Sequence, residues 1–529
     1  MKEPKFKEPK FIVGPPGTGK TSTFITGKYL KLLENFSYEK IVVLSHTKVA
    51  AKEIRDEILK LPKVKELNLT QESLKYKICT IHSYCKSRLP RKEIFDYQDH
   101  LGLCVNSETG SIFKLQRVSA GDFAADKHKF YKYLSDAHGM GKTIQDHWKT
   151  CDRNSYLPYS INMIIPMKEI YENYKEKNYI CDFQDMIQDF IDKAKNPEID
   201  ALIVDEAQDS NVPQLEALNK MAINTKEGHY YFVGDADQTI FEFAGANPDY
   251  FHTLSKNAEQ LEQGYRCGKT INDICKKIIT PVWKKYGYDR VWKPAEGVIG
   301  THHYLPSLNN KSSALNILLD KIKNTNETFL FTYRGKPSDI AIKNFFITNG
   351  IEFGYVGSDP HVSKKELRCH KLWKEFIKGT PMSLKQIKDF WTYIGSKVIV
   401  HGQGDPKCFE GWVNQDYSID YLIVKKCLKP EAKNYEDFST IRTKTDADRI
   451  LYIEKILRQG FDLDGEVRVK YASIHKVKGL TFDNVIVDLT VTRREDYFTQ
   501  LRLKYVAYSR GRVDCWSIAS KDKFTLGVR

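Results

Sequence analysis

The run Gly14-Pro15-Pro16-Gly17-Thr18-Gly19-Lys20-Thr21 has the spacing G-x-x-x-x-G-K-[ST] and follows the apolar stretch Phe11 to Val13. This combination of residue types suits one task, holding a chain of phosphates. Gly17 and Gly19 let backbone N–H groups turn inward, the helix expected after Lys20 offers its positive end, and the Lys20 ammonium reaches the outer phosphates. The Thr21 hydroxyl is suited to ligate Mg²⁺, with Ser22 beside it at the helix start. Holding phosphates does not by itself hydrolyse them. Hydrolysis needs carboxylates at the end of a neighbouring buried strand, and "ALIVDEAQD" at 201 to 209 supplies Asp205 and Glu206 there. Asp205 is suited to hold Mg²⁺ through water, and Glu206 to orient or deprotonate the attacking water.

These groups need rigid elements to meet. The phosphate loop sits between the strand at Phe11 to Val13 and "STFITGKYLKLLENF", whose spacing predicts a helix with Phe24, Leu30 and Leu33 on its buried face. "KIVVLS" (40 to 45) is a second buried strand, followed by the helical "KVAAKEIRDEILKL", and "YYFVGDADQ" (230 to 238) is another strand that ends in acid. This β-α-β-α rhythm predicts a parallel sheet with its ligand at the carboxyl ends of the strands. Between about 90 and 196 the chain is polar and aromatic, with helical stretches such as "MKEIYENYKEKN". A second α/β unit begins at "TFLFTYR" (328 to 334) with the helix "DIAIKNFFITNG", and it resumes at "NVIVDLT" (484 to 490) after another polar insertion.

The 529 residues are enough for several domains with cores of their own. Lys and Arg outnumber Asp and Glu by 82 to 68, for a net charge of +14, which favours a polyanionic partner. No apolar run reaches the roughly 18 residues of a membrane span, and the Lys- and Pro-rich start lacks a signal-peptide core, so a soluble, cytoplasmic protein is expected. The 11 cysteines are scattered with no C-x-x-C, which suits reduced, mostly buried thiols. Cys369-His370 with His361 nearby lacks the second cysteine pair of a zinc site.

With "DEAQD" (205 to 209), "VGDADQTIFEFAGA" (233 to 246), "LEQGYR" (261 to 266), "IHKVKGLTF" (474 to 482) and "RLKYVAYSRGR" (502 to 512), the chain resembles the UvrD/Rep/PcrA branch of superfamily 1 helicases. The resemblance implies an α/β fold of two RecA-like P-loop motor domains, each with a mostly helical insertion. On this sequence their expected bounds are 1–89 and 197–262 for the first motor domain, with 90–196 inserted, and 263–356 and 467–529 for the second, with 357–466 inserted. It implies ATP with Mg²⁺ as cofactors and 3′ to 5′ movement on single-stranded DNA, including duplex junctions, in replication, repair or recombination. The implied partners are proteins of those processes, and the implied state is a monomer or weak oligomer. The motifs put Gln238 where a glutamine senses the γ-phosphate, Tyr265 where an aromatic stacks on adenine, and Arg266 and Arg510 where two arginines neutralise transition-state charge. Gly479 of "KGLTF" falls in the nucleotide-binding set. His46 and Thr47 in "SHTKVAAKEI", Thr80 and His82 in "CTIHSYC", Phe241 and Phe243, and His475 fall where the family meets DNA. Bases stacked on aromatic faces give a sequence-tolerant grip of about 1–3 kcal/mol each. Burial in the core is the competing expectation for one of the two phenylalanines.

Three departures bear on the detail. The thirteen residues before Gly14 contain no glutamine to read the adenine edge, and Thr481 stands where a glutamate holds the ribose, so relaxed nucleoside choice is expected. The second insertion is shorter than in UvrD-type enzymes. An RNA helicase of the Upf1-like branch and a non-unwinding translocase that strips proteins from single strands are the alternatives.

Overall fold

The computed structural model describes residues 7–90, 93–94, 101–105, 112–117, 127–156, 159–309, 312–436, 438–441, 447–459, 465–490 and 496–519. They divide into two compact units. The first runs to Cys267 and takes in Cys275–Gly297 and Asp496–Tyr505; the second takes Gly268–Ile274, the chain from Val298, and the segment from Val506.

The first unit is built on six parallel strands: β1 (Lys10–Val13), β2 (Ile41–Ser45), β3 (Ile78–Thr80), β4 (Ala201–Asp205), β5 (Tyr230–Gly234) and β6 (Glu259–Gln260). Their spatial order is β6-β1-β5-β4-β2-β3. Strands β2, β4 and β5 are buried along their whole length. Alternate residues feed two cores: Val42, Leu202 and Phe232 face one, and Val43, Ile203 and Val233 the other. A sheet covered on both faces explains why these segments read as unbroken apolar runs. The register levels the carboxyl ends, because Val13 pairs with Gly234 and Asp205 with Val233. The phosphate loop, the acid pair and "DADQ" therefore leave the sheet side by side.

The helix after the phosphate loop opens with a π turn, Lys20–Ile25, in which the Gly19 carbonyl accepts from both Thr23 N–H (2.9 Å) and Phe24 N–H (3.0 Å). It continues as α1 (Thr26–Leu32). The extra residue in that turn rotates the remainder of the helix about its axis. Ile25, Tyr29 and Leu32 face the core with Leu33 at its edge, whereas the expected Phe24 and Leu30 are only partly buried. Helix α2 (Lys48–Leu59) is capped by Thr47, whose hydroxyl accepts from Ala50 N–H, and α3 (Ile81–Ser87) by Thr80, which accepts from Ser83 N–H.

In the first insertion, α4 (Lys127–Gly139) and α5 (Ile161–Lys177) share an aromatic core that includes Phe130, Tyr133, Tyr156 and Tyr171. Helix α6 (Phe183–Lys193) instead joins the core of the first sheet through Ile187 and Phe190. Two later helices cross the division of the chain into units: α7 (Lys269–Tyr286) and α8 (Tyr497–Tyr508). The expected boundary at 263 differs from this division, since Tyr265, Arg266 and Cys275–Gly297 lie in the first unit. The physical reason is buried charge: Arg290 is ion-paired there to Asp235 at 2.6 Å and Asp237 at 2.8 Å.

The second unit repeats the sheet with β7 (His302–Leu305), β8 (Phe329–Tyr333), β9 (Phe353–Tyr355), β10 (Val469–Ser473), β11 (Phe482–Asp488) and β12 (Gly511–Ile518), all parallel, in the order β7-β12-β11-β8-β10-β9. Its insertion has a separate core around Trp373, Phe390, Trp391 and Leu422. The helix Ala447–Arg458, expected within that insertion, packs Tyr452, Ile453 and Ile456 into the core of the second sheet.

No described helix is long and apolar enough to cross a membrane. No disulfide joins the cysteines whose side chains are described, and no group of metal-ligating residues occurs among the described residues. Cys369 is core, His370 packs on Phe438 at 4.6 Å, and His361 packs on Phe353 at 4.8 Å.

Candidate active site

The phosphate loop closes on itself. Gly14 N–H donates to Gly234 O (2.9 Å), Thr18 Oγ1 donates to Pro15 O (2.8 Å), and Lys20 Nζ donates to Gly14 O (2.8 Å). The Lys20 ammonium thus curls over the loop, 3.8 Å from Glu206 Oε1. Gly17 is required twice: its φ is +75°, and a Cβ there would stand 2.3 Å from Arg266 Cβ. That approach is sealed by Tyr265 N–H donating to Gly17 O at 2.7 Å. Tyr265 is 63% exposed and Arg266 is partly buried, so a broad ring face lies open directly beside the loop. Pro15, Pro16 and Gly19 complete the loop. Thr21 and Ser22 stand in the first turn of the helix, where N–H groups have no intrahelical partner.

Asp205 ends β4 fully buried, and its Oδ1 has no hydrogen-bond partner. Burial, reinforced by the charge of Glu206 and opposed by Lys20, pushes its carboxyl up to about 7. A buried carboxylate oxygen left over in this way fits a hard divalent cation, and Mg²⁺ is the ion that phosphate sites of this type take. Glu206 adopts a left-handed conformation (φ +51°), which costs a residue with a Cβ on the order of 1 kcal/mol or more. Gln208 secures it by donating Nε2 to Glu206 Oε2 (2.6 Å), while Gln208 Oε1 accepts from Asp235 N–H (3.0 Å). One amide therefore ties the acid turn to the end of β5.

Gln238 is buried and donates Nε2 to Asp235 Oδ2 (2.9 Å). Asp235 and Asp237 share the Arg290 guanidinium, Trp283 Nε1 donates to Asp237 Oδ2 (2.7 Å), and Tyr505 OH donates to Asp235 Oδ2 (3.2 Å). Two carboxyls share one guanidinium away from solvent. Burial, offset by Arg290 and compounded by Asp235, accordingly lifts Asp237 to about 7. Beside it, burial and the nearby arginines drive His252 down to about 2, so the ring is neutral.

The strand-facing candidates are more dispersed. His46 is partly buried with Nε2 3.2 Å from Ser210 Oγ, next to the acid turn. Thr47 and Thr80 are the helix caps described above. His82 stands edge-on to Phe183 (5.6 Å), and burial with nearby His138 lowers it to about 4. Phe241 and Phe243 meet edge-on at 6.0 Å; Phe243 is 50% exposed and Phe241 partly buried, and neither belongs to a core cluster. In the second unit Arg510 is buried, donating Nε to Val506 O (3.0 Å) and Nη2 to Ser509 Oγ (2.9 Å), with Leu480 O 3.5 Å from Nη1. It is no surface charge. Gly479, exposed at φ +86°, adjoins Leu480, and His475 lies in the short turn Ile474–Val477 after β10.

Residues 2–259 match the model of the UvrD/REP helicase N-terminal domain. Over this stretch, just under half of its length, the chain is UvrD/Rep-like. It is 28% identical over 303 residues to a probable DNA helicase II homolog of Mycoplasma capricolum, covering 51% of this chain and 39% of the relative. It is 27% identical over 297 residues to the ATP-dependent DNA helicase Rep of Buchnera aphidicola, covering 51% and 43%. Against Rep of Escherichia coli it is 22% identical over 405 residues, covering 68% and 55%. The chain therefore spans about half the length of these relatives. What motif reading of a UvrD/Rep-like chain misses is the support: Gln208, Asp235, Asp237, Arg290 and Arg502. Asp235 and Asp237 lie inside "GDADQ", but Arg290 carries no local signal, since it is 55 residues from Asp235.

Proposed function

We propose that this chain is an ATP-dependent DNA helicase that moves 3′ to 5′ on single-stranded DNA in replication, repair or recombination. One observation carries the reading: buried Gln238, level with the phosphate loop, is followed a few residues later by the half-exposed ring of Phe243, so the nucleotide side and the strand side share one short segment. The family match and the relatives' names support it.

Lys20 and the loop amides bind the outer phosphates, and Tyr265 stacks on the base. Thr21 and Asp205 would hold Mg²⁺, which when bound would supply charge neutralisation at the transferred phosphoryl group. Glu206, held by Gln208, takes the proton of the attacking water. Gln238 orients toward the γ-phosphate, and Arg266 and Arg510 neutralise charge as it moves. His46, Thr47, Thr80, His82, Phe241, Phe243 and His475 form the strand-facing set. A motor needs its grip on the strand to differ between nucleotide states, and the Gln238–Phe243 segment is placed to carry that difference.

An unwinding assay with 3′-tailed, 5′-tailed and blunt duplexes, run beside hydrolysis stimulated by poly(dT) or poly(U), tests this. Unwinding of the 3′-tailed duplex with stimulation by poly(dT) is expected. Stimulation by poly(U) alone would replace the reading with an RNA helicase. Strand-stimulated hydrolysis without unwinding would reduce it to a translocase.

A further inference from the structure

The segment after Gln238 is fastened by a single helix face that the functional reading leaves unused. Thr499, Arg502 and Tyr505 lie at i, i+3 and i+6 on α8, one residue per turn on one stripe. Arg502 is 2% exposed. It donates Nε to Thr239 O (3.0 Å), and its Nη2 donates to both Glu242 Oε1 and Thr499 Oγ1 (3.0 Å for the latter). Thr499 Oγ1 in turn approaches Glu242 Oε1 at 2.9 Å. One turn further on, Tyr505 OH donates to Asp235 Oδ2, the oxygen that also receives Gln238 Nε2.

The stripe therefore touches this segment at Asp235, Thr239 and Glu242. The first of these positions the expected phosphate sensor, and the last sits between Phe241 and Phe243. The far end of the segment is wedged as well: at Gly245 (φ +96°) a Cβ would stand 2.0 Å from Gly139 O, at the end of α4. The aromatic pair lies between those two fixings. A buried guanidinium is costly unless paired, so Glu242 cannot part from Arg502 freely.

We propose that the Thr499–Arg502–Tyr505 stripe, closed on Asp235 and Glu242, couples the nucleotide site to the grip of the Phe241–Phe243 loop on single-stranded DNA. Arg502 and Glu242 are positioning residues, acting through Thr239 and the aromatic pair. This inference rests on the motor reading above. A purely structural role would change stability and leave the dependence of strand binding on nucleotide intact.

The test measures hydrolysis with and without poly(dT), and poly(dT) affinity with and without a non-hydrolysable ATP analogue, in the full chain. Glu242→Ala is expected to keep strand-free hydrolysis within about twofold and to lose about tenfold in strand stimulation, a coupling of ordinary size. Its poly(dT) affinity should no longer respond to the analogue. Glu242→Gln, which preserves the hydrogen bonds, should restore most of both. Should Glu242→Ala melt early, Thr499→Val keeps the ion pair and removes one hydroxyl, with an expected loss in stimulation of about threefold. Wild-type stimulation and nucleotide response in both folded variants would overturn the coupling while leaving the motor intact. Absence of any strand stimulation in the unsubstituted protein would overturn the motor reading itself, and the coupling with it.

Discussion

The two units share a six-stranded parallel sheet, and three of their buried acids, Asp514 in the second and Asp205 and Asp237 in the first, are held in different ways. In the second unit Asp514 accepts from Thr301 N–H (2.6 Å), Thr301 Oγ1 (2.9 Å) and Lys321 Nζ (2.5 Å), and those hydrogen bonds hold its carboxyl below the usual range despite its burial. In the first unit Asp205 and Asp237 each keep a buried oxygen without a partner, and both are pushed up to about 7. A satisfied buried acid is part of the scaffold. An unsatisfied one, at the carboxyl end of a parallel strand, is held ready for something else. The same architecture therefore carries a fully satisfied acid in one unit and two acids with a spare buried oxygen in the other.

The largest effect that tests this contrast is catalytic. Lys20→Ala and Glu206→Gln are each expected to cut strand-stimulated hydrolysis by about a thousandfold or more, the scale of lost transition-state electrostatics, with the melting of both units unchanged. Near-normal turnover in either would remove the first unit's claim to the chemistry. Next comes Arg290→Met, which leaves Asp235 and Asp237 without their shared cation. Breaking a buried pair on one side costs about 3–5 kcal/mol, to be read by urea unfolding. Lys321→Met in the second unit removes a partly exposed partner, and about 1 kcal/mol is expected there. Equal losses would erase the distinction between the units. Smaller than the Arg290 effect, and read on binding instead of stability, is Phe243→Ala. Its ring is half exposed, so stability should hold while poly(dT) affinity falls by about 1–3 kcal/mol, measured by fluorescence anisotropy.

How much of the molecule is legible in its sequence depends on range. The phosphate loop, Asp205-Glu206 and the buried strands announce themselves because each is a local pattern, and the sheet register then aligns them. The buried face of the first helix differs from the one its spacing predicts, because the π turn at Gly19 shifts the helical phase and no side chain near it signals an extra residue. Sequence alone leaves open which of Phe241 and Phe243 is buried; Glu242–Ala244 forms a 3₁₀ turn, and the ring of Phe243 is the more exposed of the two. Arg290 is invisible as a support, since its carboxylate partners lie 53 and 55 residues away and a lone arginine in a basic chain carries no signal, while Arg502 heads the motif at 502 to 512 but its partner Glu242 lies 260 residues away.

The last prediction concerns pH. Asp205 and Asp237 hold their protons to about 7 when folded, against about 4 in an unfolded chain. Between those values the native first unit retains protons that the unfolded chain has released. The contribution of these two groups to stability is therefore fully present below about pH 4, and it falls as pH rises through about 7, by on the order of 1 kcal/mol per pH unit for each proton retained. For Asp514 the sign reverses: its folded carboxyl is depressed, so its contribution is present above the unfolded value and is lost only in acid. From about pH 5 to about 7.5 the first unit should weaken while the contribution of Asp514 stays constant. Hydrogen exchange resolved by segment, followed across that range, separates the two. Asp237→Asn keeps an uncharged side chain at every pH, so it should remove about half of the decline in the first unit and leave the half that belongs to Asp205. An unchanged slope would mean that Asp237 is ionised throughout, and that Arg290 alone carries both carboxylates.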